Sequence, residues 1–265
     1  MKTYFVDSFT TEKFKGNPAA VCIVENNLDN KAMQDIATEI GFSETAFIKK
    51  LSDNSYSIRF FTPKMEIPLC GHATLASSKI IFDTTNLNGF TFININNVEL
   101  FIEKSGTKIK MQFPVYDTEE IEVPQNMLDA LGINAIEDKR YSSKNKIIIL
   151  EIKGTKALAD LRPDFLSLVN SYEGINGVLV TAQSDSIDFD FHYRYFWPWA
   201  GTNEDPVTGG IQTFLTKYWA IKLNKNKLNA FQSSERTGTM NTELYQDKVF
   251  IYGEAVTVFE GEFKN

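Results

Sequence analysis

The sequence predicts an α+β fold made of two similar halves, and three observations carry this reading. Arg59-Phe60-Phe61-Thr62-Pro63 recurs as Arg194-Tyr195-Phe196-Trp197-Pro198, 135 positions further on. Each copy follows a helix-like and then a strand-like pattern, and each leads through a loop into a second helix-like run. Strands outnumber helices without the strict alternation that builds a doubly wound sheet.

In chain order, Tyr4 to Phe9 and Ala19 to Val24 read as strands. Met33, Ile36, Ala37 and Ile40 recur at helical spacing and stop at Gly41, and Thr45 to Lys49 reads as the next strand. The Arg59 copy leads to Gly71-His72-Ala73-Thr74 and a helix-like run from Leu75 to Phe82. Strands are expected at Phe90 to Ile95, Val98 to Glu103 and Lys108 to Phe113. The second half expects a strand at Lys146 to Ile152, a helix through Phe165, Leu168, Val169 and Tyr172 ending at Gly174, and a strand at Gly177 to Thr181. Its Arg194 copy lies in an alternating run from Asp188 to Phe196 and leads to Asp205-Pro206-Val207-Thr208 and a helix over Ile211 to Ile221. Strands at Leu244 to Tyr252 and Ala255 to Phe263 close the chain. The interval from proline to threonine is 11 positions in one copy and 10 in the other. Three matches in one order point to duplication. Domains at 1–115 and 116–265 follow, divided near Pro114 to Pro124, and the last strand has the option of returning to the first domain. Two such domains facing each other would leave a cleft for a ligand.

Composition narrows the function. The net charge of -7 repels phosphate backbones, and Lys222 to Lys227, the densest basic stretch, reads as a short loop with no stacking platform beside it. Nucleic acid is not an expected partner. Apolar runs such as Ala19 to Val24 fall far short of the roughly 20 residues that span a bilayer, and Met1 to Phe14 lacks a signal peptide's apolar segment, so a cytoplasmic protein is expected. Cys22 and Cys70 are too few for a disulfide framework or a cysteine-rich zinc module.

The two equivalent helix starts are the places to look for chemistry, because a helix amino end exposes unpaired N–H groups and partial positive charge. Asp205-Pro206 has the form of an N-cap followed by proline, and Gly209-Gly210 would let a ligand approach the backbone closely. An Asp-Pro pair is also compatible with capping alone. Gly71-His72 marks the corresponding place in the first half. His72 can aim a ring nitrogen into that pocket as hydrogen-bond partner or proton carrier, whereas His192 reads as an ordinary core or surface histidine. Glu44 stands among apolar neighbours just before a strand, where burial would raise its pKa toward the range useful for moving protons; the alternative is a solvated loop carboxylate. Cys70, beside the helix end, is a conceivable nucleophile or thiol base, and Cys22 reads as a packed thiol. No histidine or cysteine pair has ligand spacing, so no metal is expected, and no nucleotide-binding or hydrolase motif is present.

Four blocks in order, Phe14-Lys15-Gly16-Asn17-Pro18-Ala19-Ala20-Val21, Gly41-Phe42-Ser43-Glu44-Thr45-Ala46-Phe47, Cys70-Gly71-His72-Ala73-Thr74 and Asp205-Pro206-Val207-Thr208-Gly209, resemble the phenazine-biosynthesis PhzF-like family, related to diaminopimelate epimerase. Gln232-Ser233-Ser234-Glu235-Arg236-Thr237-Gly238 is similar to a later block of that family. The resemblance implies two similar domains, each a mixed sheet or barrel curled around a central helix, with the active site between them. It implies an isomerase that moves a proton between carbons of a small unsaturated or cyclic carboxylic acid, as in the isomerisation of trans-2,3-dihydro-3-hydroxyanthranilate, without metal or organic cofactor. By resemblance Glu44 is the proton-transferring acid and base, His72 and Asp205 are its catalytic companions, and Cys70, Gly71, Thr208, Gly209 and Gly210 fall at the substrate-binding positions. The family also implies a homodimer. Two other readings stay open: an amino-acid racemase or epimerase of the diaminopimelate epimerase type, and a binding protein that has kept the cleft without catalysis.

Overall fold

The computed structural model describes residues 1–264, and the chain divides into two compact units, Met1–Phe113 with Phe250–Asn265, and Pro114–Val249. In the first unit, β1 (Lys2–Ser8) and β2 (Asn17–Ile23) pair antiparallel, and α1 (Asn30–Ile40) crosses to β3 (Thr45–Lys50), which runs parallel to β2. β4 (Ser55–Phe61) pairs antiparallel with β3 and with the short β5 (Glu66–Ile67). α2 (Gly71–Thr84) then leads to β6 (Gly89–Ile93), parallel to β4, followed by β7 (Glu99–Ser105) and β8 (Lys108–Pro114) in antiparallel succession.

The second unit repeats this plan. After the short β9 (Glu119–Glu120) and α3 (Gln125–Leu131), β10 (Asp138–Ser142) and β11 (Ile147–Glu151) pair antiparallel. The short helices α4 (Thr155–Ala159) and α5 (Phe165–Ser171) occupy the place of α1 and lead to β12 (Gly177–Gln183), parallel to β11. β13 (Phe191–Trp197) pairs antiparallel with β12 and with β14 (Thr202–Glu204), and α6 (Gln212–Leu223) leads to β15 (Lys227–Gln232), parallel to β13. β16 (Gly238–Tyr245) pairs antiparallel with β15. Every pairing from β1 to β7 therefore has a counterpart of the same sense from β10 to β16.

One side-chain pair repeats too. Arg59 on β4 makes a two-pronged ion pair with Glu66 on β5, through Nε and Nη2, each at 2.7 Å. Arg194 on β13 does the same with Glu204 on β14, at 2.8 and 2.7 Å. The planar guanidinium matches a carboxylate in only this forked way, so each pair locks a hairpin that leads directly into a helix start.

Each unit wraps its sheet around a helix buried on nearly all sides. His72 to Ser78 and Ile80 to Phe82 of α2 are buried, as are Gln212 to Thr216, Trp219 and Ala220 of α6, where Trp219 stacks on Phe191 at 5.5 Å. The outer helix α1 shows one apolar face instead. Asp29 caps it, Met33 and Ala37 pack on Cys22, Phe47 and Phe61, and Gly41 ends it in the left-handed conformation. β12, parallel to β11, is buried at six successive residues, as a central strand covered on both faces should be.

The C-terminal domain does not run on to residue 265. From Phe250 the chain belongs with the first unit: β17 (Lys248–Gly253) leads into β18 (Ala255–Glu262), which pairs antiparallel with β1, and Glu254 O accepts from the Phe9 N–H at 2.8 Å. A β-carbon on Gly253 would stand 2.6 Å from Leu75 Cδ2, so this return needs bare backbone against the central helix. Other expectations need correction. Leu244 to Tyr252 is two strands, broken at Gln246 and Asp247, where Gln246 takes a φ of 56°. The run Lys222 to Lys227 is the end of α6, its left-handed Asn224 cap and the start of β15, not a loop. The helices α3 and α4 and the strands β9, β10 and β15 were not anticipated; their short runs carry little periodic signal.

Candidate active site

In the first unit, four chain ends meet. Asn17 opens β2, Glu44 immediately precedes the parallel β3, Ser8 closes β1 opposite Asn17, and His72 stands in the first turn of α2. The Ala20 N–H donates to Glu44 O at 3.3 Å, extending the ladder between β2 and β3, so the backbone of Glu44 is fixed although it lies outside the strand. The Ser8 hydroxyl donates to His72 O at 2.8 Å and holds the start of α2 against β1. Gly16 makes this approach feasible. It has a φ of 65°, and a β-carbon there would sit 2.1 Å from Ser8 O. Gly16→Ala is therefore expected to displace Ser8 and loosen His72, lowering the unfolding temperature. An unchanged melting curve would contradict this packing.

The Glu44 side chain is only 7% exposed. Its Oε2 lies 3.2 Å from His72 Nε2, within ion-pair range but not aligned as a hydrogen bond, and the same oxygen has no other hydrogen-bond partner. Buried polar atoms without partners are scarce and ask for an explanation. On the other side of the ring, the Asn17 Nδ2 is 3.2 Å from His72 Nδ1. A half-turn of that amide presents oxygen instead of N–H, so Asn17 can serve either protonation state of the imidazole.

The charge state of Glu44 differs from the expectation. Burial pushes its pKa up, but His72 and Ser43 outweigh burial, and the net shift is downward. The isolated reading of its apolar neighbours missed a cationic partner that lies far along the chain. Burial pulls the His72 pKa down, yet Cys70 and then Glu44 raise it well above the ordinary value of 6.5. Burial and then the Glu44 charge push the Cys70 thiol up, with His72 pulling the other way. Glu44 is thus a buried carboxylate beside an imidazolium.

The linkage has a definite sign. The raised pKa of His72 contributes stability below 6.5 that is lost as pH rises through its folded value. The lowered pKa of Glu44 contributes stability above 4.5 that is lost as pH falls through its folded value. His192, by contrast, has its pKa lowered by burial. Near pH 6.5 the two histidines should be in opposite states, His72 charged and His192 neutral. Nitrogen-15 spectra of the two rings check this, and coincident titration below 6.5 would contradict it.

Cys70 occupies the N-cap of α2 without a side-chain capping bond. Its sulfur is 3.4 Å from Nδ1 and 4.0 Å from Nε2 of His72, so it lies beside the ring and not along the axis of either nitrogen. Glu44, Cys70 and His72 bring their ligand atoms within 4.8 Å of one another. An ion on Nε2 and the carboxylate at ordinary zinc distances of about 2.0 to 2.3 Å would nevertheless leave this thiol out of reach unless it swung away from the ring face. Cys22 is fully buried, 3.5 Å from the Thr3 hydroxyl, and its thiol is pushed up to about 11 by burial.

In the second unit, Asp205 is buried but does not cap a helix. α6 begins at Gln212 with Ile211 at its N-cap, and a turn over 206–211 intervenes. The Asp205 carboxylate instead receives the Thr208 hydroxyl in a close contact, and its N–H donates to Tyr195 O at 3.1 Å. Gly209 and Gly210 lie in the turn ahead of the helix, their carbonyls accepting from Gln212 and Thr213. No atom lies within 4 Å of where a β-carbon on Gly210 would be, so its backbone is open to approach. Sequence reasoning missed Ser8, Asn17, Gln232 and Ser234, which hold these loops. Asn17, Gln232 and Ser234 lay inside the quoted blocks, and only the fold shows what they touch.

A family model described as phenazine biosynthesis-like protein, PhzC-PhzF, matches residues 6–261. The chain belongs to the PhzF-like family. It is 40% identical over 264 residues to an uncharacterized isomerase of Halalkalibacterium halodurans, covering 98% of this chain and 97% of that protein. A PhzF family crystal structure from Enterococcus faecalis superposes with a TM-score of 0.93 at 36% identity, covering 100% of this chain and 99% of the other. A probable proline racemase from Agrobacterium radiobacter superposes with a TM-score of 0.61 at 10% identity, over 99% and 92% of the two chains, and shares the fold alone. The PhzF-like chain thus has the diaminopimelate epimerase-like fold that the resemblance implied. Among the described residues, no helix is long and apolar enough to cross a membrane.

Proposed function

We propose that this PhzF-like chain is an isomerase that moves a proton between carbons of a small unsaturated or cyclic carboxylic acid, with Glu44 as general base and then general acid. The observation that carries the reading is the buried Glu44 carboxylate, one oxygen of which lacks a hydrogen bond although it stands beside His72. An ionised carboxylate held away from water has a lone pair available for a carbon-bound proton. Glu44 would remove that proton, the double bond would shift, and the same carboxyl, its proton exchanged with solvent, would protonate the far carbon of the former double bond. His72 would hold the carboxylate in place and balance its charge. In the first unit the amino end of α2 at Cys70 and Gly71 suits a carboxylate, and in the second unit Asp205, Thr208, Gly209 and Gly210 would bind polar groups of the substrate, with open backbone at Gly210.

A thiol-dependent racemase or epimerase is the second reading, favoured by the contact of Cys70 with His72. It lacks a partner thiol, because Cys22 is buried against Thr3. The deciding experiment incubates the protein in deuterated buffer with unsaturated, cyclic and amino carboxylic acids and records mass gain. A shifted double bond with one deuterium supports the isomerase. Inversion at an amino acid's α-carbon without a shifted bond would replace it with the epimerase, and tight binding of an acid with no isotope uptake would replace it with a non-catalytic binding role.

A further inference from the structure

The segment between β14 and α6 carries Asp205 and Thr208 but forms neither helix nor strand, so something else must fix it. A side chain from another strand spans it. Gln232, the last residue of β15, is fully buried. Its Nε2 donates to Asp205 O at 2.6 Å, and its Oε1 accepts from the Thr208 N–H at 2.7 Å. A carbonyl can only accept and an N–H only donate, so the orientation of this amide is unambiguous. One side chain thus spans the turn from its first residue to its fourth. The Ser234 hydroxyl adds a bond to Pro206 O at 2.5 Å.

We propose that Gln232 is a positioning residue that sets the spacing of Asp205 and Thr208 for substrate binding, with Ser234 as its assistant. The inference rests on the reading above that Asp205 and Thr208 bind substrate. The geometry explains the residue type. Asparagine is one carbon too short to meet both backbone groups. Glutamate, when ionised, sets an oxygen against the Asp205 carbonyl, and methionine fills the volume but satisfies neither group. In the first unit the corresponding loop is held at one point only, by Asn94 just after β6, whose Nδ2 donates to Pro68 O at 2.9 Å; Cys70 then passes directly into α2, where Thr74 donates to Cys70 O from both its N–H and its hydroxyl.

The test compares Gln232→Met, Gln232→Glu and Ser234→Ala with the unaltered chain, using the acid that takes up deuterium in the panel above. Loss of positioning should raise KM by about 10- to 100-fold in both Gln232 variants, with a smaller rise in Ser234→Ala and kcat changed by much less. Amide hydrogen exchange of the peptide over 205–211 supplies a readout that needs no turnover, and the Gln232 variants should lose protection there. If a Gln232 variant fails to fold, Ser234→Ala carries the comparison. Unchanged KM and unchanged protection in the folded variants would overturn the proposal. A rise in KM without faster exchange in that peptide, or a lower melting temperature with KM unchanged, would also overturn it. If the unaltered chain exchanges no acid, the catalytic reading has failed by itself and Gln232 has no substrate loop to position, whatever the variants show.

Discussion

Glu44→Gln is expected to lower the rate of proton transfer by about 10³-fold or more while the protein stays folded. Glutamine keeps the shape of the side chain but cannot take a proton from carbon, and a thousandfold loss corresponds to about 4 kcal/mol of barrier. Because the substitution removes the only base in the scheme and leaves the binding groups in place, kcat should fall with KM little changed. The His72 ring should respond as well. Without the anion at 3.2 Å from Nε2, its pKa should drop, since Cys70 alone then opposes burial. Turnover measured together with the His72 resonance separates a catalytic loss from a collapsed site. Full activity with an altered His72 would remove Glu44 from the mechanism.

The largest expected effect on stability lies in the repeated ion pair. The Arg194 side chain is 8% exposed, and besides Glu204 it donates to the carbonyls of Leu158, Ala159 and Leu161. Its counterpart Arg59 is 22% exposed, and its remaining hydrogen bond is to Asn30 Oδ1. Arg194→Ala leaves a largely buried carboxylate without its cation and three carbonyls without this donor, so it should cost about 3 to 5 kcal/mol. Arg59→Ala should cost about 1 to 2 kcal/mol, because Arg59 is itself the more exposed arginine and its loss strands no backbone carbonyl. Urea unfolding of the two variants under one condition tests the difference. Equal losses would contradict the burial argument. Glu204 directly precedes Asp205, so Arg194→Ala should also loosen the turn that Gln232 braces.

How far the sequence could be read depended on the range of the interactions involved. The duplication was visible because Arg59 and Arg194 open equivalent strand, hairpin and helix units, and the central helices announced themselves as apolar runs. The α1 helix, its Gly41 stop and the following strand were local patterns of the same kind. Long-range contacts were not visible in this way. The direction of the Glu44 pKa was misread because its neighbours in sequence are apolar while its neighbour in space is His72. Asp205-Pro206 imitated a helix cap, but the chain first makes the turn that Gln232 holds, and no local signal marks a brace from a distant strand. Ser8 and Asn17 were hidden for the same reason, since strand pairing and not spacing carries them to His72.

The central claim is that one carboxyl, and not a thiol, carries the proton. The most direct measurement runs the unaltered chain, Glu44→Gln and Cys70→Ala side by side in deuterated buffer with an acid that the protein turns over, and weighs the product. The account predicts one deuterium at the newly saturated carbon for the unaltered chain and for Cys70→Ala, and no labelled product from Glu44→Gln. Labelled product from Glu44→Gln, or its loss in a folded Cys70→Ala, would contradict it.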